Sequence, residues 1–232
     1  MGESKQQIPV LAIDGPSGVG KGTVARAMAQ ELGWSLLDSG AIYRVLGAAA
    51  EQAGLDLADG RKVAALAESI RIEFQVTGDA DELILVNGAD LTAMVRQETT
   101  GELASQIAVH PSVRAALLQR QRDFRQAPGL VADGRDMGTV VFPEAQLKLF
   151  LDASAEERAQ RRHAQLSAAG VDANIDRLCG EIRARDQRDR NRSQAPLRAA
   201  PDAICIDTTD LPIPSVLEKV RDLLRQRGLS AG

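Results

Sequence analysis

Eight consecutive residues, Gly15-Pro16-Ser17-Gly18-Val19-Gly20-Lys21-Gly22, carry the clearest chemistry in the chain. Glycines at this density let a backbone turn with its N–H groups facing inward, and a helix opening directly behind adds partial positive charge, so a triphosphate can sit there. Lys21 would reach the β- and γ-phosphates. Position 22 is Gly where many such loops place the Ser or Thr that meets Mg²⁺, so Thr23 or waters must serve the metal. The competing reading is a glycine-rich turn that binds nothing. The flanks argue against it: the apolar run Ile8 to Ile13, ending in Asp14, precedes the turn, and the helix-forming stretch Val24 to Ala29 follows. Asp14 is either part of that site or a cap on the strand end.

Ten arginines fall between Arg158 and Arg198. Arg158, Arg161 and Arg162 share a helix face by i, i+3, i+4 spacing, and Arg185, Arg188, Asp189 and Arg192 form a second stripe at i, i+3, i+4, i+7. One reading is a solvated face laced with local pairs such as Glu157–Arg161 and Glu181–Arg185, each worth about 0.3–0.5 kcal/mol. The other is a phosphate-facing stripe, since three guanidinium groups with one acid repel unless an anion neutralises them. Asp133 closes an apolar run and either holds the water shell of Mg²⁺ or caps a turn.

The elements that must position these residues alternate. A strand ending at Asp14, the helix after Lys21, a strand over Gly33 to Asp38 and a helix over Ala41 to Gln52 give β-α-β-α, which favours parallel strands with ligands at their carboxyl ends. Asp38, Ser39, Tyr43 and Arg44 fall beside the loop mouth, unless Tyr43 and Arg44 are ordinary helix-surface residues. Gly54 to Val109 breaks the rhythm with a helix (Arg61 to Ser69) and a hairpin: Arg71 to Val76, a Gly78-Asp79-Ala80-Asp81 turn, and Leu83 to Gly88. Helical material bearing Ser105 and Arg114 follows. Strands at Gly129 to Asp133, Gln146 to Asp152 and Ala203 to Asp207, and a last helix over Ile213 to Gln226, complete an α/β chain with an inserted segment suited to a substrate.

Composition narrows the function classes. The chain of 232 residues has 44% hydrophobic and 3% aromatic residues and a net charge of −4, which suits one Ala/Leu/Val-packed unit and disfavours a nucleic-acid stacking surface or general polyanion binding. Cys179 and Cys205 lack paired or metal-type spacing, and no apolar run approaches a membrane span. Met1 to Gln7 is short and polar, so a cytoplasmic protein is expected. A guanine-selecting Asn-Lys-x-Asp segment is absent.

Together GPSGVGKGT, LLDSGAIYR (Leu36 to Arg44), ADGRDMGTVVFP (Ala132 to Pro143) and RDQRDRNR (Arg185 to Arg192) resemble the bacterial cytidylate kinases, a nucleoside monophosphate kinase family, from about Ile8 to the final helix. Gly at 22 is what that family normally carries. The resemblance implies a single domain with a P-loop NTPase-type parallel five-stranded sheet flanked by helices. Its CORE would span 8–53, 111–154 and 195–232, its NMP-binding subdomain with an insert 54–110, and its helical LID 155–194. It further implies ATP as donor, CMP or dCMP as acceptor, and Mg²⁺. The whole loop Gly15 to Thr23 would bind ATP, with Lys21, Arg158, Arg161 and Arg162 stabilising the transferring group. Ser39, Ser105, Arg114 and Asp136 match positions that recognise cytosine. Arg44 and Arg135 match positions holding the acceptor phosphate, Arg185, Asp189 and Arg192 match positions near sugar and phosphate, and Tyr43 belongs to the same site. A monomer that binds neither nucleic acid nor membrane is expected.

The chemistry agrees with that resemblance. A phosphate acceptor is already ionised near neutral pH and needs charge neutralisation and alignment rather than a base. Cytosine offers an N4 donor beside N3 and O2 acceptors, which a carboxylate and a guanidinium complement, whereas uracil reverses part of that edge. The rival readings are a kinase of another small acceptor and a nucleotide-sensing module without turnover.

Overall fold

The computed structural model describes residues 7–76, 82–168 and 170–229. At its centre lies β1 (Val10–Asp14), buried along its whole length. β1 pairs in parallel with β6 (Leu130–Gly134) on one side and β7 (Leu147–Asp152) on the other. β2 (Ser35–Asp38) adds outside β6 and β8 (Ile204–Asp207) outside β7, so the sheet runs β2-β6-β1-β7-β8 with every pair parallel. A strand covered on both faces reads as a continuous apolar run, and the pleat divides it. Val10 and Ala12 join one core cluster with residues of α2 (Ser39–Gln52) and α6 (Pro111–Asp123). Leu11 and Ile13 join another with α1 (Lys21–Leu32) and α9 (Ile213–Gln226).

The inserted segment carries α3 (Gly60–Ala67) and a separate antiparallel sheet of β3 (Ile72–Val76), β4 (Glu82–Val86) and β5 (Ala89–Asp90). The expected Gly78 to Asp81 turn lies outside the described residues. β5 is a correction: the chain does not stop pairing at Gly88 but doubles back there. Asn87 (φ 50°) and Gly88 (φ 84°) both take positive φ, as a two-residue Asn-Gly hairpin turn requires. α4 (Thr92–Val95) and α5 (Glu98–Ile107) then lead to α6.

The arginine-rich stretch forms α7 (Ala155–Ala168) and α8 (Ile175–Arg190), packed on each other. α8 ends at Arg190, so Arg192 lies beyond the helix and the expected four-residue stripe is broken at its last member. The second helix starts at Ser39 rather than Ala41, because the Asp38 carboxylate accepts the Ala41 N–H at 2.9 Å and caps it. Thus the segments after β1, β2, β6, β7 and β8 all emerge at one edge of the sheet, where open parallel sheets bind ligands.

Candidate active site

The loop after β1 owes its shape to two steric facts. A side chain at Gly15 would collide with the Leu151 carbonyl of β7, and Gly20 holds φ 96° as it enters α1. Ser17, Gly18, Gly20, Lys21, Gly22 and Thr23 consequently line a cleft of about 990 Å³, while the Pro16 carbonyl accepts the Lys21 ammonium at 2.9 Å. Val19 is buried, its carbonyl accepting the Thr208 hydroxyl at 3.2 Å. Lys21 Nζ stands 3.8 Å from Asp133 Oδ1 at the end of β6. Burial, aided by the charge of Arg135, draws the Lys21 ammonium down to about 8; burial pushes Asp133 up to about 6 against the pull of Lys21.

The rest of the cleft lining is rich in cations. Arg44, Arg135, Arg161, Arg162 and Arg185 all line it. Arg44 donates to the Val95 and Gln97 carbonyls at 2.9 and 3.0 Å, and a side chain at Gly101 would sit 3.1 Å from its guanidinium and 3.4 Å from that of Arg185. Gly101 thereby leaves room for two cations to approach each other. Arg135 donates to Asp189 at 3.0 Å, and Arg192 pairs with the other oxygen of the same carboxylate. Burial alone would raise Asp189, but Arg135, Arg192 and Arg185 outweigh it and hold the carboxyl below its usual range.

Behind the arginines runs a buried polar seam between α2, α6 and the turn after β6. Arg114 pairs with Asp136 and stands 5.9 Å from the centroid of the Tyr43 ring. Burial raises Asp136, with Arg114, Arg192 and Arg135 pulling it back. One helical turn before Tyr43, Ser39 donates to the Gln121 side chain at 2.7 Å. Ser105 is buried with its hydroxyl unpartnered. A buried hydroxyl of this kind has a hydrogen bond left to make, to a water or to a ligand.

Two expectations are corrected. Arg158 does not line the main cleft: it is 2% exposed, it donates to the Ser17 and Ala153 carbonyls at 3.1 and 3.0 Å, and it forms a two-pronged pair with Asp186 of α8. Its work is to tie α7 and α8 to the phosphate loop. Arg188, from the second stripe, points outward, 4.0 Å from Glu102 with both side chains exposed. The stripe therefore disperses, because Asp189 takes Arg135 and Arg192 as its partners and leaves Arg185 facing the cleft.

Asp14 was left open in the sequence and is resolved by its partners. Its two carboxylate oxygens accept the Met137 and Gly138 N–H groups at 2.7 and 2.8 Å, at the start of a π-helical turn (Met137–Val141). The strand that carries the phosphate loop thus also fixes the backbone next to Arg135 and Asp136. Burial pushes Asp14 up to about 7 despite those two bonds. For a divalent ion, the described residues hold no cluster of three or more His, Cys, Asp or Glu. Thr23 and Asp133 on the cleft wall offer one hydroxyl and one carboxylate, hard oxygens that fit Mg²⁺, an ion that keeps waters and binds largely through substrate phosphates.

A glycine-rich loop at the carboxyl edge of a five-stranded parallel sheet, beside a cleft lined by arginines, is the architecture of the P-loop class of α/β proteins. The profile of the cytidylate kinase family matches residues 11–226. The cytidylate kinase of Aeromonas salmonicida (strain A449) is 55% identical over 215 residues, 93% of both chains. Those of Stutzerimonas stutzeri (strain A1501) and Pseudomonas putida (strain W619) are 53% and 54% identical, covering 96% of this chain and 98% of theirs. The chain belongs to the cytidylate kinase family and is a nucleoside monophosphate kinase.

Proposed function

We propose that the chain transfers the γ-phosphate of ATP to CMP or dCMP, giving ADP and CDP or dCDP, by direct in-line displacement. The observation that carries this reading is that one cleft is lined both by Lys21 and the glycine-rich loop and by the guanidinium groups of Arg44, Arg135 and Arg185. Lys21 and the inward N–H groups hold the donor phosphates. Arg44, Arg135 and Arg185 neutralise the acceptor phosphate, which would otherwise be repelled by the triphosphate, and Arg161 and Arg162 stabilise charge on the group in flight. Arg158 supports them by bracing the loop. Asp136 and Arg114 receive the cytosine edge, with Ser39, Ser105 and Tyr43 around it, and Asp189 and Arg192 hold the sugar side. Thr23 and Asp133 would hold Mg²⁺, through water at Asp133; when bound, the ion spreads the negative charge of the phosphates.

The discriminating experiment is ADP formation from ATP and Mg²⁺ with CMP, dCMP, UMP, AMP, GMP or no acceptor. Turnover with CMP and dCMP well above the others is expected. Equal rates with and without acceptor would overturn the transfer reading. A preference for another monophosphate would overturn the base assignment alone.

A further inference from the structure

Gln121 is an anomaly on its helix. It continues the buried stripe Val113, Leu117 at i+4 spacing on α6, yet carries an amide and is 2% exposed. Both ends of that amide are used. Nε2 donates to the Leu117 carbonyl at 3.2 Å, and Oε1 accepts the Ser39 hydroxyl at 2.7 Å. The opposite orientation would set Oε1 against the Leu117 carbonyl oxygen, acceptor against acceptor, so the helix backbone fixes which end faces Ser39. Ser39 can then only donate to Gln121, and its hydroxyl has lone pairs alone to offer elsewhere. Its position is equally constrained: Asp38 caps the helix one residue earlier, and Tyr43, one turn later, meets Arg114, which carries Asp136. Ser39–Gln121 and Tyr43–Arg114 are therefore two side-chain contacts along the same side of α2 toward α6.

We propose that Gln121 is a positioning residue that sets base selectivity, by holding the Ser39 hydroxyl as an obligatory acceptor toward the nucleobase. The inference rests on the reading that this seam receives the base of the acceptor nucleotide. An obligatory acceptor bonds the amino group of cytosine and repels the carbonyl oxygen that uracil carries at the same place, whereas a freely rotating hydroxyl would satisfy either. Leu117 O, Gln121 and Ser39 thus form a short relay from helix backbone to substrate, and Gln121 touches no substrate itself.

The test compares kcat/KM for CMP and UMP in Gln121→Met, which keeps the volume and removes the amide acceptor. The CMP/UMP ratio is expected to fall about tenfold, through a gain on UMP as well as a loss on CMP. KM for ATP is expected to stay within about twofold. In a Ser39→Ala background the same substitution should leave the ratio unchanged, because its effect passes through the hydroxyl. Should Gln121→Met not fold, Gln121→Asn, one methylene too short to span both partners, carries the same expectation. A parallel loss on both nucleotides, or an undiminished effect without Ser39, would show Gln121 to be core packing only. A wild-type enzyme indifferent between CMP and UMP would instead overturn the reading of the seam as a cytosine site.

Discussion

Lys21 is a cation kept in an unwelcoming place. Burial and Arg135 lower its affinity for a proton, Asp133 restores part of it, and the Pro16 carbonyl fixes its direction. On the proposed reading, an arriving triphosphate would supply the charge the site lacks, and the lysine would meet it without first giving up a strong partner. Lys21→Met is expected to lower kcat/KM by about 10²–10⁴-fold, about 3–5 kcal/mol of transition-state stabilisation, measured in the coupled ADP assay. The pH profile has a definite sign: with the free-enzyme lysine titrating at about 8, kcat/KM for ATP should fall as pH rises through that value. A profile flat to pH 9.5 would contradict the role.

At the scale of elements, one carboxylate joins the strand that leads into the phosphate loop to the turn beside Arg135 and Asp136. Because Asp14 ends β1 and holds the turn that follows β6, Asp14→Asn keeps one acceptor and turns an NH₂ group against the second backbone N–H. The acceptor site should suffer more than the donor site: about a tenfold rise in KM for CMP against less than threefold for ATP. Stability carries a second signature. Asp14 titrates at about 7 in the folded chain and 3.8 in the unfolded one, so the native state binds a proton that the unfolded state releases between those values. Its contribution to stability is therefore greatest below about pH 4 and declines toward pH 7, and the stability difference should shift in favour of Asp14→Asn across that window. Denaturant titrations at several pH values measure it. Helix α8 makes a comparable junction: Asp186 reaches Arg158, which in turn donates to the Ser17 carbonyl of the phosphate loop, and three residues on, Asp189 reaches Arg135. Asp186→Ala leaves the Arg158 guanidinium buried without its counter-charge and should cost about 3–5 kcal/mol, read from the same titrations.

These junctions also mark what was legible beforehand. The alternation of apolar runs and helical stretches exposed the five strands and their flanking helices, because parallel strands covered on both faces leave little ambiguity. The phosphate loop was legible for the same reason that it works: its glycines are demanded by backbone geometry. Arg158 and Arg188 were misplaced, since spacing on a helix tells which residues share a face and says nothing of what lies opposite. Asp186, on a neighbouring helix, decides the fate of Arg158. Asp14 and Gln121 escaped in a different way. A carboxylate closing a strand has many uses, and its amide partners lie more than 120 positions away. Gln121 did leave a trace, a polar residue on the stripe of Val113 and Leu117, which only the Ser39 contact turns into a function.

For the molecule as a whole, the central place of β1 has a consequence for how the chain comes into being. β1 has no neighbour until β6 and β7 arrive at residues 130–152, and the sheet is complete only with β8 at residues 204–207. At roughly 5–20 residues per second, ribosomal synthesis leaves that apolar strand unpaired for at least about 6 seconds. Closing loops of this length before any pairing is rewarded also makes for slow folding. A chain released after residue 146, before β7, should remain largely insoluble on its own, as centrifugation of expressed fragments would register. The strand that leads into the phosphate loop thus spends its first moments as a nascent-chain hazard, and the loop acquires its shape only when Leu151, more than 130 residues further on, comes to rest against Gly15.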